Sequence, residues 1–260
     1  MSHEKPTIVI FDMDGTAVRH INPHLLHVLE KIDDAFYTLS RFFSWLFRRG
    51  ARGPIIAADD AFLNRRKPRL LVHRAMHKFR RKDVEQIVEP CPGIYTVLQF
   101  LRAHNIPMAL VSNGLGKGYG HDILEKFDLG GFFTATVFRE DIKKSKPAPD
   151  ALLLALNRMG VTPGPGDVIW FVGDRHKDVL AALAAAAHTK ARIVPIAYAL
   201  HAAIAILEKG LNADNILMSY YDMHDRLRAL LGEAPAGKPA LRAEKDNDKK
   251  KPALVSSAQP

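Results

Sequence analysis

The sequence predicts an α/β fold, a three-layer α/β/α Rossmann-like core with a parallel sheet plus an inserted α-helical cap domain. Three observations carry this expectation. Short, almost continuous apolar runs recur along the chain, as suits strands buried on both faces of a parallel sheet. Segments of helical periodicity lie between them, and strands alternating with helices build parallel sheets. One stretch, His20 to Glu89, breaks the rhythm and reads as helices alone, the mark of an insertion.

In chain order, the first strand is Thr7–Asp12 (TIVIFD), followed by the insertion. A helix over Ile94–His104 leads to a strand at Pro107–Ser112 (PMALVS), and a helix over His121–Phe127 to a weaker strand at Ala135–Phe138. Then come a helix at Asp150–Met159, the strand Val168–Gly173 (VIWFVG) and a helix at Asp178–Ala187. The strand Arg192–Ala197 (RIVPIA), a helix at His201–Lys209, a short strand at Ile216–Met218 and a helix at Asp222–Leu231 complete the core. After Gly232 the chain is rich in Ala, Pro and Lys without periodicity, which predicts a disordered tail. The expected domains are therefore a core of residues 1–19 and 90–232, a helical cap over 20–89, and a tail over 233–260.

Length and composition exclude several classes. At 260 residues, 47% hydrophobic and 25% charged, the chain is long enough for a sizeable core and unlike a collagenous or wholly disordered protein. Its one cysteine, Cys91, cannot form an internal disulfide or assemble a zinc ribbon, and its place between Pro90 and Pro92 suggests a small buried thiol. No stretch reaches the roughly 18 uncharged apolar residues of a membrane span, and MSHEKPTIVIFD does not read as a secretory signal. A cytoplasmic location is the expectation.

The net charge of +9 is unevenly placed. Between Arg41 and Lys82 stand 13 basic residues and 2 acids, Asp59 and Asp60, so the rest of the chain is close to neutral. This segment includes Arg65-Arg66-Lys67-Pro68-Arg69, and six aromatics from Phe36 to Phe47 stand at its start. Solvated basic faces and an internal aromatic core are the plain readings. Recruitment of an anionic partner, nucleic acid or a membrane surface, is the functional one.

The chemistry is concentrated at strand ends. The first strand runs into Asp12-Met13-Asp14-Gly15-Thr16, which puts two carboxylates at i and i+2 where the chain leaves the carboxyl edge of the sheet. That edge is where open α/β folds bind ligands. Three further elements follow in order: Ser112-Asn113-Gly114 after the second strand, Lys146-Pro147 before a helix, and Gly173-Asp174-Arg175-His176-Lys177-Asp178 after the strand at Val168–Gly173. With these four motifs the sequence resembles the haloacid dehalogenase-like hydrolase superfamily, in particular its phosphoglycolate phosphatase-like members, from about Thr7 to Leu231 apart from the insertion.

The resemblance implies a Mg²⁺-dependent phosphatase acting on a small phosphorylated metabolite. It makes Asp12 the nucleophile that forms an aspartyl-phosphate, and Asp14 the acid that protonates the leaving oxygen and later deprotonates water. Mg²⁺ would be held by Asp12, the backbone carbonyl of Asp14, and Asp174. Lys146 would place a point charge on the phosphoryl group, Ser112 and the Asn113 backbone would donate hydrogen bonds to it, and Asp178 would support the metal's water shell or Lys146. The presence of Asp14 favours phosphate over carbon chemistry within the superfamily. A phosphomutase with the same core is the first alternative, and a basic binding protein with secondary hydrolysis the second. The sequence departs from the family at Arg175 and His176, where smaller residues are common, and at Ala181–Lys190, where an Ala-Gly helix end is usual.

Weaker signals have plainer readings. Gly114-Leu115-Gly116-Lys117-Gly118-Tyr119-Gly120 fits neither GxxxxGK[ST] nor a dinucleotide fingerprint and is expected to be a flexible loop. His20 with His24, and His73 with His77, stand at helical i, i+4 spacing but lack a third ligand nearby, so surface or capping roles are expected.

Overall fold

The computed structural model describes residues 4–21, 84–114 and 116–233. Most of the predicted insertion and the tail, with the basic segment, the aromatic run, His24, His73 and His77, lie outside the described residues.

Six parallel strands form one sheet. They are β1 (Ile8–Asp12), β4 (Met108–Val111), β5 (Ala135–Val137), β6 (Val168–Gly173), β7 (Arg192–Tyr198) and β8 (Ile216–Leu217), in the spatial order β5-β4-β1-β6-β7-β8. Every residue of β1, β4 and β6 is buried, which explains why these strands read as unbroken apolar runs. Register places Phe11 beside Leu110 and Val172, and Asp12 beside Val111. Strand order reverses at β1, so the crevice at its carboxyl end is the topological switch point where such sheets bind ligands.

Alternation along the strands builds two apolar layers. Val9, Phe11, Trp170 and Val172 face one way, against α1 (Ile94–Ala103), α2 (Lys117–Lys126) and α6 (Tyr220–Leu230). Ile8, Ile10, Ile169 and Phe171 face the other, against α3 (Asp150–Arg158) and α4 (His176–Ala186). Ala181, Ala182 and Ala185 give α4 a small-residue face on the sheet, while α5 (Leu200–Glu208) packs through Ala202, Ala205 and Ile206 beside Val179. Each Leu, Ile, Val or Phe so buried contributes about 1.5–3 kcal/mol. Helices on both faces of a parallel sheet make the three layers expected.

Two strands were not legible in the sequence. β2 (Val18–His20) and β3 (Val88–Pro90) form a separate antiparallel pair, with Val18 opposite Pro90 and His20 opposite Val88. His20 thus lies on a strand, and its helical pairing with His24 does not hold. The reason is local: a run of only three residues is too short to show a period-2 pattern, and its pairing comes from a segment about seventy residues away. The glycine-rich stretch also differs from expectation, since α2 begins at Lys117 and takes in Gly118, Tyr119 and Gly120. The Gly120 N–H donates to the Gly116 carbonyl at 2.8 Å, and a Cβ at Gly120 would fall 2.2 Å from the Phe138 ring. Close packing, and not a need for looseness, accounts for that glycine.

Cys91 follows β3, 3% exposed, its N–H donating to the Ala17 carbonyl at 3.0 Å. Burial pushes its thiol up to about 12, against a smaller opposing effect of Arg19. At pH 8 only about one thiol in 10⁴ would be ionised, and the thiolate is the reactive form. Iodoacetamide is therefore expected to leave the native protein unlabelled over hours and to modify Cys91 fully after unfolding in urea. Mass spectrometry reads both states, and rapid native labelling would contradict the buried placement.

Candidate active site

The loop after β1 is wound tightly. The N–H groups of Ala17 and Val18 both donate to the Met13 carbonyl at 3.0 Å, and the Gly15 N–H donates to the Val18 carbonyl at 2.8 Å. Gly15 has φ +81, and a Cβ there would sit 2.2 Å from Asp174 Oδ2, so glycine is needed for conformation and for space. From beneath, the buried Tyr220 hydroxyl donates to the Thr16 carbonyl at 2.9 Å and braces the loop.

Asp12, at the end of β1, is buried with Lys146 and Asp178. Lys146 Nζ donates to Asp12 Oδ1 and pairs with Asp178 Oδ1 at 2.6 Å, with the Phe171 ring centroid 5.5 Å away. Asp178, in the first turn of α4, accepts the Arg175 N–H at 2.9 Å through Oδ2. A Cβ on Gly173 would lie 2.3 Å from Asp178 Cβ, so the glycine ending β6 lets α4 bring this carboxylate in. Asp12, Asp174 and Asp178 each offer an oxygen within 4.8 Å of the others.

Asp14 is arranged differently. Its Oδ2 accepts a hydrogen bond from Ser112 Oγ at 3.3 Å. Its Oδ1 is buried without a hydrogen-bond partner among the described residues, with His20 Nε2 at 3.8 Å. Asn113 Nδ2 donates to the Lys146 carbonyl at 3.4 Å, tying the second motif to the third.

The electrostatics explain why these groups belong together. Burial alone would depress the Lys146 ammonium, but Asp12 and Asp178 hold it above its ordinary value. Burial pushes the Asp12 carboxyl up, and Asp178 and Asp14 add to this against the attraction of Lys146. Burial, reinforced by Asp178, pushes Asp174 up to about 6, while Arg175, whose Nε is 3.8 Å from Asp174 Oδ2, and Lys146 oppose the rise. One ammonium does not neutralise three converging carboxylates in a dry site. Asp174 Oδ1, buried and without a hydrogen bond among the described residues, could serve as an oxygen ligand. The donor set is all oxygen, which suits a hard divalent cation.

All the predicted site residues thus meet at one edge of the sheet. The carboxylate triad is Asp12, Asp174 and Asp178, while the Asp14 side chain turns to Ser112; its expected metal contact is through its backbone. Sequence reasoning missed Tyr220, Phe171 and the tight contacts of Gly15 and Gly173, which have no pattern in one dimension. It also did not place His20 beside Asp14, since a surface or capping role was expected for that histidine.

Fold and site together define a Rossmann-like α/β protein whose acidic centre, bridged by a buried lysine, can hold a metal ion. Residues 6–186 match the haloacid dehalogenase-like hydrolase family model, and the chain belongs to that family. It is similar to the phosphoglycolate phosphatase of Pseudomonas putida, at 29% identity over 195 residues, covering 69% of this chain and 66% of that protein. It is also similar to the phosphoglycolate phosphatase of Shigella dysenteriae, at 28% identity over 206 residues, covering 68% of this chain and 77% of that one. The chain therefore spans just under two thirds of the Pseudomonas relative's length. A family hydrolase from Deinococcus radiodurans, solved with bound phosphate and sodium, shares the fold at a TM-score of 0.55 and 18% identity, covering 90% of this chain and 100% of that one. No helix among the described residues is long and apolar enough to cross a membrane.

Proposed function

We propose that the protein is a Mg²⁺-dependent phosphatase that hydrolyses a phosphate monoester of a small metabolite through an aspartyl-phosphate, as in a phosphoglycolate phosphatase, in the cytoplasm. The observation that carries this reading is the division of labour between two carboxylates two residues apart. Asp12 is locked on a buried lysine, whereas Asp14 is held on Ser112 with its other oxygen making no hydrogen bond among the described residues. A nucleophile must be fixed and an acid–base group must be able to reach the leaving atom, and the arrangement of this pair supports both roles.

In the first step an Asp12 carboxylate oxygen attacks phosphorus as the ester P–O bond breaks. Asp14 gives its proton to the departing oxygen, and the alcohol leaves. In the second step water attacks phosphorus, Asp14 takes a proton from it, and the bond from phosphorus to the Asp12 oxygen breaks to release inorganic phosphate. Lys146 balances charge on the phosphoryl oxygens throughout, while Ser112 and the Asn113 N–H orient them. Asp12, Asp174 and the Asp14 carbonyl would hold Mg²⁺, with Asp178 in support, and the ion supplies the positive charge that lets an anionic phosphate approach anionic carboxylates. Residues 20–89 are proposed to form a cap. The strands that flank this segment, β2 and β3, pair beside Asp14, and this supports that reading.

The direct test is phosphate release across a panel of phosphorylated metabolites with Mg²⁺, 2-phosphoglycolate included. Silence across the panel, p-nitrophenyl phosphate included, would refute the reading, and an isomeric sugar phosphate in place of inorganic phosphate would make the protein a mutase. The acid–base role of Asp14 is separable. Asp14→Asn is expected to lose about 10²–10⁴-fold on alkyl phosphates and far less in the first, burst step with p-nitrophenyl phosphate, whose leaving group needs little protonation. Equal losses on both in that step would argue against the role.

A further inference from the structure

One helix of the core is apolar on both sides. α5 packs inward through Ala202, Ala205 and Ile206, in one cluster with Val179 of α4 and Ala197 of β7. Its outward side carries Leu200, Ile204 and Leu207, which are 63%, 46% and 61% exposed. These three stand at i, i+4 and i+7 and form a single stripe along the helix. A helix that is hydrophobic all round is normally buried all round, yet this stripe is uncovered among the described residues. Met218 is exposed as well, one residue past Leu217, whose carbonyl accepts the Ala199 N–H at 3.0 Å. It widens the apolar surface at the N-terminal end of α5. The rest of the chain departs from other places. Residues 22–83 are flanked by β2 and β3 beside Asp14. Glu233, the last described residue, is held by His104 Nε2 at 3.0 Å and Arg228 Nε at 3.2 Å. Those two side chains belong to the α1 and α6 layer, on the face of the sheet opposite α4 and α5.

The stripe fits a second copy of itself. Its steps, four residues and then three, are nearly symmetric about Ile204, so a two-fold axis there sets Leu200 against the partner's Leu207. Charge agrees with this pairing. Glu208 stands at the C-terminal end of α5, where the helix dipole disfavours a carboxylate, and its ion-pair contact is His176 Nε2 at 3.7 Å. At the other end the N-cap is Ala199, which offers no side-chain acceptor to the first N–H groups of the helix. His201 follows, and because it stands seven residues before Glu208 the two flank the stripe on the same side. Lys209, nine residues after Leu200, falls on the far side of the helix. Antiparallel pairing therefore carries Glu208 to the partner's uncapped helix start and to the partner's His201. We propose that this face of α5 is the interface of a homodimer, with two copies of the helix antiparallel about a two-fold axis at Ile204. The proposal concerns assembly and is independent of the phosphatase reading.

Analytical ultracentrifugation of the full chain tests it. The wild type is expected to double its sedimenting mass between about 1 and 200 µM, the range of a small interface. Ile204→Lys sets two like charges face to face on the axis and should stay monomeric throughout, a loss of at least about 100-fold in affinity. Ile204 is already partly exposed, so the monomer should keep its fold, which circular dichroism and thermal denaturation check. Glu208→Lys serves if that variant does not fold. It suits the dipole of its own helix and removes the attraction across the interface, so the dimer should weaken about threefold to tenfold. Mild oxidation of Ile204→Cys should give a disulfide-linked dimer, whereas the wild type, whose one thiol is the buried Cys91, should give none. A wild type that stays monomeric at the highest concentration would overturn the proposal. So would a dimer that survives Ile204→Lys, or a thiol at position 204 that does not cross-link. Shielding of that thiol from maleimide in a monomeric protein would assign the stripe to another part of this chain, and would overturn it too.

Discussion

Asp12→Asn is expected to abolish turnover while leaving the fold intact. An amide is nearly isosteric with a carboxylate and a very poor nucleophile, and loss of a covalent nucleophile costs on the order of 10⁵-fold or more in kcat. Nothing in the packing requires the charge at this position. Burial and the neighbouring carboxylates already disfavour the ionised form of Asp12, and Lys146 keeps Asp178 at 2.6 Å when Asp12 is neutral. The variant should therefore melt no lower than wild type in the absence of metal, and it should retain binding of phosphate or vanadate in Mg²⁺. Phosphate release and thermal denaturation check the two halves. A phosphoryl or beryllofluoride adduct on any residue other than Asp12 would overturn the assignment.

The opposite balance is expected at Lys146, where activity and stability should fall together. Lys146→Met preserves most of the side-chain volume and removes the only ammonium contacting Asp12 and Asp178 among the described residues. Breaking a buried ion pair by deleting one partner costs about 3–5 kcal/mol, because the remaining charge is left uncompensated. In a domain of this size that lowers Tm by roughly 10 °C. Activity should drop by about 10³-fold through loss of charge stabilisation at the phosphoryl group. The stability loss carries a pH signature. Without Lys146, the carboxyls of Asp12 and Asp174 are raised further above their unfolded values, near 4. Their ionisation then opposes folding above about pH 4, and the deficit disappears as they become protonated. The difference in Tm between variant and wild type should thus be largest near pH 7 and shrink toward pH 4. Millimolar Mg²⁺ should restore part of it at pH 7, since a divalent cation meets the same carboxylates. A pH-independent deficit would mean that Lys146 matters for packing alone.

The two substitutions differ because the same centre holds three carboxylates and one ammonium. Removing an anion relieves the imbalance, and removing the cation deepens it. This asymmetry is a property of the assembled site, not visible in the motifs one at a time.

Much of the protein was legible in one dimension. β1, β4 and β6 are buried on both faces, so their residues had to be apolar throughout, and the runs IVIFD, MALV and VIWFVG stand out for that reason. Asp12, Ser112, Lys146 and Asp174 were legible because an open parallel sheet gathers its functional groups at strand ends, where each motif directly follows or precedes an apolar run. The proposed reaction class came from the family resemblance, in which an aspartate at the position of Asp14 marks phosphate chemistry.

The tertiary structure alone decided what lies between elements. The pairing of β2 with β3 joins segments about seventy residues apart, and no local propensity announces a strand of three residues. His20 became a neighbour of Asp14 through that pairing, and the glycine-rich stretch is wound into α2 with Gly120 packed against Phe138. The role of Asp178 also waited on the fold, since Gly173 must lack a Cβ for α4 to carry that carboxylate to Lys146. Sequence patterns record which side chains must be apolar or must carry a charge, because those demands repeat with the period of a helix or strand. They do not record which of them touch, because contact depends on distances set by packing whole elements together.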